Sequence, residues 1–163
     1  MLKGQEPTIE AFDINTAIEE VTKIAHSEIV IRNVSVTKDL TPGIPTLYGD
    51  YVQMQQVVLN LLINALDALR DQPEDTRSIL LTTRVAGSDG VTLTITDSGP
   101  GIDPDRIEAI FNPFYTMKPH GMGLGLPISR SIIEAYGGHL RAENHPDGGA
   151  MFTIWLPFEK GER

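Results

Sequence analysis

The sequence predicts an α/β fold of the α+β sandwich kind, in which about three helices cover one face of a mixed sheet of about five strands. Apolar residues recur at helical spacing in three segments, most clearly at 53–69. Apolar and polar residues alternate in shorter segments, two of which flank the turn Gly87-Ser88-Asp89-Gly90. The helices and strands do not alternate regularly along the chain, which favours a mixed sheet.

Composition limits the classes of function. The chain has 163 residues, 40% of them hydrophobic, and a formal net charge of −9. This length favours one domain with a sizeable core. Cysteine is absent, which excludes disulfides, thiolate metal sites and a cysteine nucleophile. There is no apolar run of about 18 residues. We therefore expect a cytoplasmic domain without membrane contact, in a parent protein that is either free or membrane-anchored. The negative net charge argues against nucleic acid as a partner.

Three elements precede the long helix. They are a strand at 8–13, a helix at 15–28 and a strand at 34–39. Asp13 or Asn15 is expected to cap the first helix, because both side chains accept hydrogen bonds from free backbone N–H groups. The segment 41–45 contains two prolines and a glycine, and it predicts a loop that leads to Asp50, the expected cap of the long helix.

The second half of the chain predicts four more strands, one helix and a long loop. The strands are expected at 79–86, 91–96, 140–143 and 150–156, the helix at 127–136 and the loop at 98–121. Within the loop, a short helix is expected near 106–110. A loop of this length in a compact domain is usually functional or disordered. Pro127 suits the first turn of the helix, Gly137-Gly138 suits its end, and Gly148-Gly149 joins the last two strands.

The long helix carries two stripes. The apolar stripe, expected to face the core, consists of Met54, Val58, Leu61, Leu62, Ala65 and Leu69. The polar stripe consists of Gln53, Gln56, Asn60, Asn64 and Asp67. Asn is a poor helix former, because its amide competes for nearby backbone groups. Asn60 and Asn64, one turn apart, therefore predict amides directed at a ligand. A polar face without a ligand is the alternative.

Two glycine-containing segments follow. Asp97-Ser98-Gly99-Pro100-Gly101-Ile102 ends a predicted strand; its acid can accept a hydrogen bond, while its glycines let the backbone approach a flat ligand. A plain turn is the alternative. The segment 121–127 runs from glycines into a helix N-terminus, where free N–H groups favour phosphate. It matches neither the dinucleotide fingerprint nor the P-loop, and a flexible hinge is the alternative.

Together the segments predict a nucleoside triphosphate site. An acid suits an amino group, a pair of amides suits Mg²⁺ or its waters, and free N–H groups suit phosphates. The three features occur in this order along one short chain.

Four motifs resemble those of the GHKL ATPase/kinase superfamily in its sensor histidine kinase branch. The N box is similar to 60–68, the G1 box to 97–101, the F box to 110–118 and the G2 box to 121–125. The segments 126–138 and 148–153 resemble the following helix and the closing strand, so the likeness spans about 8–158. The F box is most similar to those of nitrogen-regulation and oxygen-sensor kinases. The resemblance implies a Bergerat-type ATP-binding fold with a mobile lid between Gly101 and Gly121.

The resemblance also implies roles for individual residues. Asp97 accepts from the adenine amino group, and Thr153 supports it through water. Asn64 ligates Mg²⁺, with Asn60 beside it. The remaining residues implied to bind the nucleotide are Asp67, Gly99, Gly101, Ile102, Phe114, Lys118, Gly121, Gly123, Leu124, Gly125 and Leu126. No catalytic side chain is assigned beyond support from Asn60 and Lys118.

Phe111 and Phe114 are implied to pack the base of the lid, with plain core positions as the alternative, and Arg130 is expected on the helix surface. Two positions depart from the family pattern. Many histidine kinases have a basic residue where this chain has Asp67. ATPases of the superfamily have a Glu that activates water where this chain has Asn60, and an amide cannot take the proton. We therefore expect negligible ATP hydrolysis by the chain alone.

A histidine kinase needs a reactive histidine on a helical hairpin, and this chain offers none in such a context. Its histidines are His26, His120, His139 and His145. Only His26 superficially resembles the acceptor motif, but the downstream proline is absent and the hairpin does not fit before Asn60. We expect 1–7 to be a linker from the dimerisation hairpin, 8–158 to be the ATP-binding catalytic domain and 159–163 to be a tail.

The expected function is to bind Mg²⁺–ATP and donate its γ-phosphate to a histidine on a separate domain. The expected partners are the dimerisation and histidine-phosphotransfer domain of the same protein and the receiver domain of a response regulator. The alternatives are a protein-serine kinase of the anti-sigma type and a non-catalytic nucleotide-sensing module that docks a partner.

Overall fold

A central five-stranded sheet organises the computed structural model, which describes residues 8–113 and 125–158. The strands of the described residues are β1 (Ile9–Phe12), β2 (Ser35–Leu40), β3 (Leu47–Asp50), β4 (Ser78–Ala86), β5 (Gly90–Asp97), β6 (His139–Asn144) and β7 (Ala150–Pro157). The central sheet has the order β2-β4-β5-β7-β6. β2 pairs with β4 in parallel, and the other pairs are antiparallel. The predicted mixed sheet of five strands is confirmed.

The helices cover one face of this sheet. They are α1 (Ile14–Ile24), α2 (His26–Ile31), α3 (Tyr51–Ala68) and α4 (Gly125–Ala135). Burial alternates along the central strands, because successive side chains point to opposite faces. On β5 and β7 the buried apolar side chains are Val91, Leu93, Ile95, Ala150, Phe152, Ile154 and Leu156. The residues between them face away from the helices.

The long helix α3 matches its prediction. It begins after Asp50, whose carboxylate accepts a hydrogen bond from Gln53 N at 3.1 Å. All six residues of the predicted apolar stripe are buried, as are Val57 and Leu66. The helix therefore fills the core with one face and leaves the amide stripe at its margin.

The N-terminal region differs from its prediction in two ways. β1 does not join the central sheet; it pairs antiparallel with β3, a strand in the segment that was predicted only to lead from the loop to Asp50. The single helix expected at 15–28 is divided at Ala25 into α1 and α2. Asp13, one of the two expected caps, accepts hydrogen bonds from the backbone N–H groups of Asn15 and Thr16. No glycine or proline marks the division at Ala25 in the sequence.

The segment after β5 has little regular structure, as predicted. Two short 3₁₀ turns, Pro104–Arg106 and Ala109–Phe111, lie where one short helix was expected. The C-terminal part of the lid predicted by resemblance, from residue 114 onward, lies outside the described residues. Within them, none of the helices is both long and apolar enough to cross a membrane.

Candidate functional site

Asp97 ends β5 and is the one buried acid among the described residues, with only 4% of its surface exposed. Its Oδ1 accepts hydrogen bonds from Gly99 N at 2.8 Å and from Ala150 N at 3.3 Å. Among the described residues, no hydrogen-bond donor contacts Oδ2. Burial raises the pKa of Asp97, although the two backbone N–H groups act in the opposite direction. One carboxylate oxygen is thus held by the backbone, and the other is left for a ligand.

Gly99 and Gly149 lie so close to Asp97 that there is no room for a side chain at either position. A Cβ at Gly149 would lie 1.8 Å from the carbonyl oxygen of Asp97. A Cβ at Gly99 would lie 2.9 Å both from Asp97 Oδ1 and from the carbonyl oxygen of Ala68. Gly101 has a φ of +86°, which favours glycine. The glycines of the G1-like segment are therefore required by close backbone approach and by conformation.

Asn144, which no sequence motif indicated, holds the segment after Gly101. Its Oδ1 accepts a hydrogen bond from Ile102 N at 2.7 Å, and its Nδ2 donates to Ile102 O at 2.8 Å. Ile102 is thus fixed through its backbone by a side chain at the end of β6. The only local signal was an Asn at a strand end before a turn, which is common in proteins.

Thr153 was predicted to support Asp97, and the structure separates the two. Thr153 is paired with Thr94 across β5 and β7, and residues paired in this way share a sheet face. Asp97 is an odd number of residues from Thr94 along β5 and faces the helices, whereas Thr153 faces away from them. Thr153 instead borders a shallow hollow on the opposite face, with Trp155 and Arg141. The assignment of Thr153 to the adenine site was wrong, because the two-residue period of a strand reverses the face at every step.

The two asparagines of α3 have different surroundings. Asn60 donates from Nδ2 to Ser129 Oγ on α4 at 2.9 Å. Asn64 is half-buried, and within the described residues no hydrogen bond engages its side chain. The whole Asn64 side chain is therefore available to a metal ion or its waters, whereas Asn60 is held against α4 through its amide nitrogen.

Asp67, the third polar residue of this region, takes part in ion pairs. Its Oδ1 lies 2.8 Å from Arg32 Nη1 and 3.5 Å from Arg70 Nη2. The hydrogen bond to Asp67 is the main cause that raises the pKa of Arg32. Asp67 thus connects the end of α2 to α3, which gives it a structural function besides the nucleotide contact expected from sequence.

One stripe of α3 connects the separate parts of the site. Asn60, Asn64 and Ala68 follow one another at four-residue spacing, so they lie on the same face. Gly99 packs against Ala68 at one end of this stripe, and Gly125 packs against Asn60 at the other. The stripe spans about 12 Å at 1.5 Å per residue. The Asp97 segment and the start of α4 thus lie at opposite ends of the amide stripe.

The start of α4 is the other predicted ligand-binding element. Gly125 is its first residue, and Leu126 packs against the core. Five further residues assigned to the nucleotide lie outside the described residues. They are Phe114, Lys118, Gly121, Gly123 and Leu124.

Arg130 connects α4 to the segment that precedes residue 114. Its guanidinium lies 4.0 Å from the centre of the Phe111 ring, and Nη1 lies 3.3 Å from Glu108 Oε1. Phe111 itself is buried in the core, which was the alternative considered for it. Arg130 thus has protein partners, and its cation stabilises the start of the predicted lid.

A profile described as histidine kinase-, DNA gyrase B- and HSP90-like ATPase matches residues 49–160. The chain belongs to this family. The match includes Asn64, Asp97 and the start of α4, so the resemblance drawn from the four motifs is confirmed.

Curated relatives narrow the family to sensor histidine kinases. The chain is 35% identical to the sensor histidine kinase TmoS of Ectopseudomonas mendocina over 96% of its own length and 16% of that protein. It is 39% identical to the sensor protein FixL of Bradyrhizobium diazoefficiens over 88% of its own length and 28% of that protein. The chain therefore spans less than a third of the length of these relatives. It corresponds to the catalytic ATPase domain of a two-component histidine kinase.

Solved structures agree with this assignment. The catalytic domain of histidine kinase ThkA is 30% identical and has a TM-score of 0.82, with 92% of this chain and 95% of that one covered. The mycobacterial sensor histidine kinase MprB is 26% identical, with a TM-score of 0.80 and coverage of 92% and 97%. The α/β fold and the kinase-type catalytic domain are thus confirmed.

The side-chain oxygens of this ATPase domain fit Mg²⁺ only if a nucleotide supplies further ligands to the same ion. Within the described residues, no group of three or more His, Cys, Asp or Glu side chains could enclose a metal ion. Mg²⁺ commonly takes one or two protein oxygens and completes its shell with water and substrate phosphates. The Asn64 amide oxygen is a donor of this kind, so the residues present fit a metal ion that arrives with a nucleotide.

Proposed function

We propose that this domain binds Mg²⁺–ATP along the amide stripe of α3 and donates the γ-phosphate to a histidine on a separate dimerisation domain. One observation carries the proposal. A single helix face joins a buried carboxylate with a free oxygen to the N-terminus of α4. The two ends of that face suit the two ends of a nucleoside triphosphate, a purine amino group and a phosphate chain.

At the purine end, Asp97 accepts a hydrogen bond from the adenine amino group through Oδ2. The N–H groups of Gly99 and Ala150 hold Oδ1 and so orient the carboxylate before the ligand arrives. Gly101, four residues after Asp97, lets the backbone border the flat base. Guanine carries a carbonyl where adenine carries its amino group, so the acceptor at this point favours adenine.

At the phosphate end, Asn64 ligates Mg²⁺, and the first N–H groups of α4 bind phosphate oxygens. Backbone N–H groups at a helix start lack intrahelical partners and lie at the positive end of the helix dipole. Leu126 offers its N–H at this position, and we assign Gly121, Gly123, Leu124 and Lys118 to the same function from their motif. When bound, Mg²⁺ offsets the negative charge of the phosphates and orients them.

The phosphate acceptor belongs to another part of the full protein. Among the described histidines, His139 stacks on Trp155 with 5.6 Å between ring centres, on the sheet face opposite the site. His145 Nδ1 accepts from the backbone N–H of Asp147 at 3.1 Å, in a surface turn. Neither lies beside a candidate phosphate-binding group, and His26, the third described histidine, is exposed at the start of α2. The structural relative ThkA has been solved in complex with the response regulator TrrA, which supports a receiver domain as a second partner.

Calorimetric titration with a non-hydrolysable ATP analogue, with and without Mg²⁺, tests the binding site. Asp97→Asn should weaken binding by about 1–3 kcal/mol, since it removes a charge-assisted hydrogen bond. Asn64→Ala should chiefly remove the Mg²⁺ dependence. Thr153→Val is the matched control, because it removes a hydroxyl from the opposite sheet face. Unchanged affinity in Asp97→Asn, or equal weakening in Thr153→Val, would contradict the site.

A transfer assay then distinguishes the functions. The domain is mixed with Mg²⁺–ATP and the histidine hairpin of its own full-length protein, and acid-labile phosphohistidine is measured. Tight ATP binding without transfer would favour a nucleotide-sensing module. Transfer to a serine substrate instead would identify a protein-serine kinase.

A further inference from the structure

Ser129 is a buried polar residue on the inner face of α4, with 3% of its surface exposed. No motif singled it out in the sequence. Its Oγ accepts the hydrogen bond that Asn60 donates from Nδ2 at 2.9 Å, which joins residues 69 positions apart in the chain. A hydroxyl oxygen at this position requires a donor, and the amide nitrogen of Asn60 supplies it.

The same amide packs against the first residue of α4. A Cβ at Gly125 would lie 2.5 Å from Asn60 Oδ1 and 2.7 Å from Asn60 Nδ2. Gly125 and Ser129 are four residues apart, so they lie one above the other on one face of α4. The Asn60 side chain therefore fits between two consecutive turns of α4, held by the hydrogen bond on one side and by close backbone contact on the other.

This contact acts on the least constrained turn of the helix. The first four N–H groups of an α-helix have no intrahelical partner, so external contacts decide how firmly that turn is held. Here the external contact comes from the helix that carries Asn64, the proposed metal ligand. A rigid connection between the two helices would fix the distance between the metal ligand and the phosphate-binding N–H groups.

We infer that Ser129 is a positioning residue, which holds Asn60 and thereby fixes the first turn of α4 against α3 for binding of the triphosphate. The inference rests on the proposed function. It divides the roles of the two asparagines: Asn64 ligates the metal ion, and Asn60 positions the phosphate-binding turn. Displacement of phosphate-binding groups by even about 1 Å weakens binding and transfer, because both depend on alignment.

Hydrogen exchange measured by mass spectrometry tests the contact without any nucleotide. In Ser129→Ala, peptides that cover 125–130 should exchange about tenfold faster than in the wild-type protein, the effect of losing one buried hydrogen bond. Thr83→Ala is the matched control. Thr83 is also buried, and its Oγ1 donates to Asn15 Oδ1 at 2.9 Å. It lies on β4, four residues beyond Ile79, the residue that pairs with Asp97. Its loss should leave exchange at 125–130 unchanged.

Titration of the same variants separates positioning from general weakening. Ser129→Ala should lower the affinity for the Mg²⁺–ATP analogue about three- to tenfold, which is the effect of one lost hydrogen bond, and leave adenosine binding unchanged. Asn60→Ala combined with Ser129→Ala should cost no more than the larger single effect, because both act through one contact.

Three results would overturn the inference. They are unchanged exchange at 125–130 in Ser129→Ala, an equal effect of Thr83→Ala on that segment, and an equal loss of adenosine and triphosphate affinity. If the wild-type protein binds no ATP analogue, the proposed function fails instead. The exchange measurement would then still decide whether Ser129 and Asn60 fix the first turn of α4.

Discussion

The hydroxyl of Tyr136 accepts a hydrogen bond from the backbone N–H of Asp50 at 2.9 Å, so the residue after α4 contacts the residue before α3. The same hydroxyl donates to Gln53 Oε1 at 3.0 Å. Its ring packs against Gly49, where a Cβ would lie 3.3 Å from a ring carbon. With the Asn60–Ser129 hydrogen bond, this gives α3 and α4 two polar connections, one near each end of α4.

Tyr136→Phe should lower the free energy of unfolding by about 1–2 kcal/mol, because it removes both hydrogen bonds and leaves the ring in place. Urea denaturation measures the change. Tyr48→Phe is the control, since Tyr48 is half exposed on the small sheet and should tolerate the loss of its hydroxyl. Affinity for the ATP analogue should stay the same in both variants. A Tyr136→Phe protein as stable as the wild type would show that the connection contributes nothing.

The stability of the domain should depend on pH through Asp97. Burial raises its pKa in the folded protein. The folded state therefore keeps the proton over a pH range in which the unfolded chain has released it. The stabilisation by the neutral form is complete below the unfolded pKa and is lost as pH rises through the folded pKa. Asp97→Asn stays neutral throughout, so its free energy of unfolding should exceed that of the wild type at neutral pH, with a gap that narrows on acidification.

Nucleotide affinity should change in the opposite direction. As pH falls through the folded pKa of Asp97, the carboxylate gains a proton and loses its charge as an acceptor. Wild-type affinity for the ATP analogue should fall over that range, and the affinity of Asp97→Asn should stay flat. Parallel profiles for the two proteins would show that another group controls the pH dependence. The charged form of Asp97 should thus lower stability in the same pH range in which it strengthens nucleotide binding, and acids with shifted pKa values of this kind are common at functional sites.

Sequence alone predicted the parts of the fold that depend on local pattern. α3, its Asp50 cap and its buried face were all correct, because helical periodicity and capping are fixed by residues within a few positions of one another. β3 was missed, because four residues containing a glycine show strand character only when β1 pairs with them. Strand pairing depends on residues that are distant in sequence, so no local pattern predicts it.

The site was predictable to the same extent. Asp97, Gly99 and Asn64 carry motifs that are contiguous in sequence, and the structure brings them to one face of α3. Ser129 and Asn144 were missed, since their partners lie 69 and 42 positions away. Thr153 was misassigned, because the face of a strand residue depends on counting register from a known neighbour. Motifs thus predict residues that contact a ligand, and the structure identifies residues that hold them.

The ion pair between Arg32 and Asp67 should be worth more than a fully exposed one. Their side chains are 26% and 15% exposed, whereas those of Arg84 and Asp39 are 51% and 61% exposed. A double-mutant cycle with Arg32→Gln and Asp67→Asn should give a coupling of up to about 1 kcal/mol, and the cycle for Arg84 and Asp39 should give about 0.2 kcal/mol or less.

Nucleotide titration of these variants decides how Asp67 acts. If its function is to connect α2 and α3, Arg32→Gln and Asp67→Asn should change ATP-analogue affinity alike, or not at all. A loss of affinity confined to Asp67→Asn would support the direct nucleotide contact expected from the motif.

Gly149→Ala should destabilise the domain more than any other single methyl addition in this turn. Its φ is +87°, which strains an L-residue, and the new Cβ would lie 1.8 Å from the carbonyl oxygen of Asp97. Gly148→Ala is the matched control, because Gly148 has a φ of +105° and no atom within 4 Å of the added carbon. The control should cost about 1–2 kcal/mol of strain, and Gly149→Ala at least about 2 kcal/mol more, since β5 and β7 must separate to admit the methyl group. Chemical denaturation measures both. Equal losses would mean that conformation alone, and not close approach to Asp97, requires glycine at position 149.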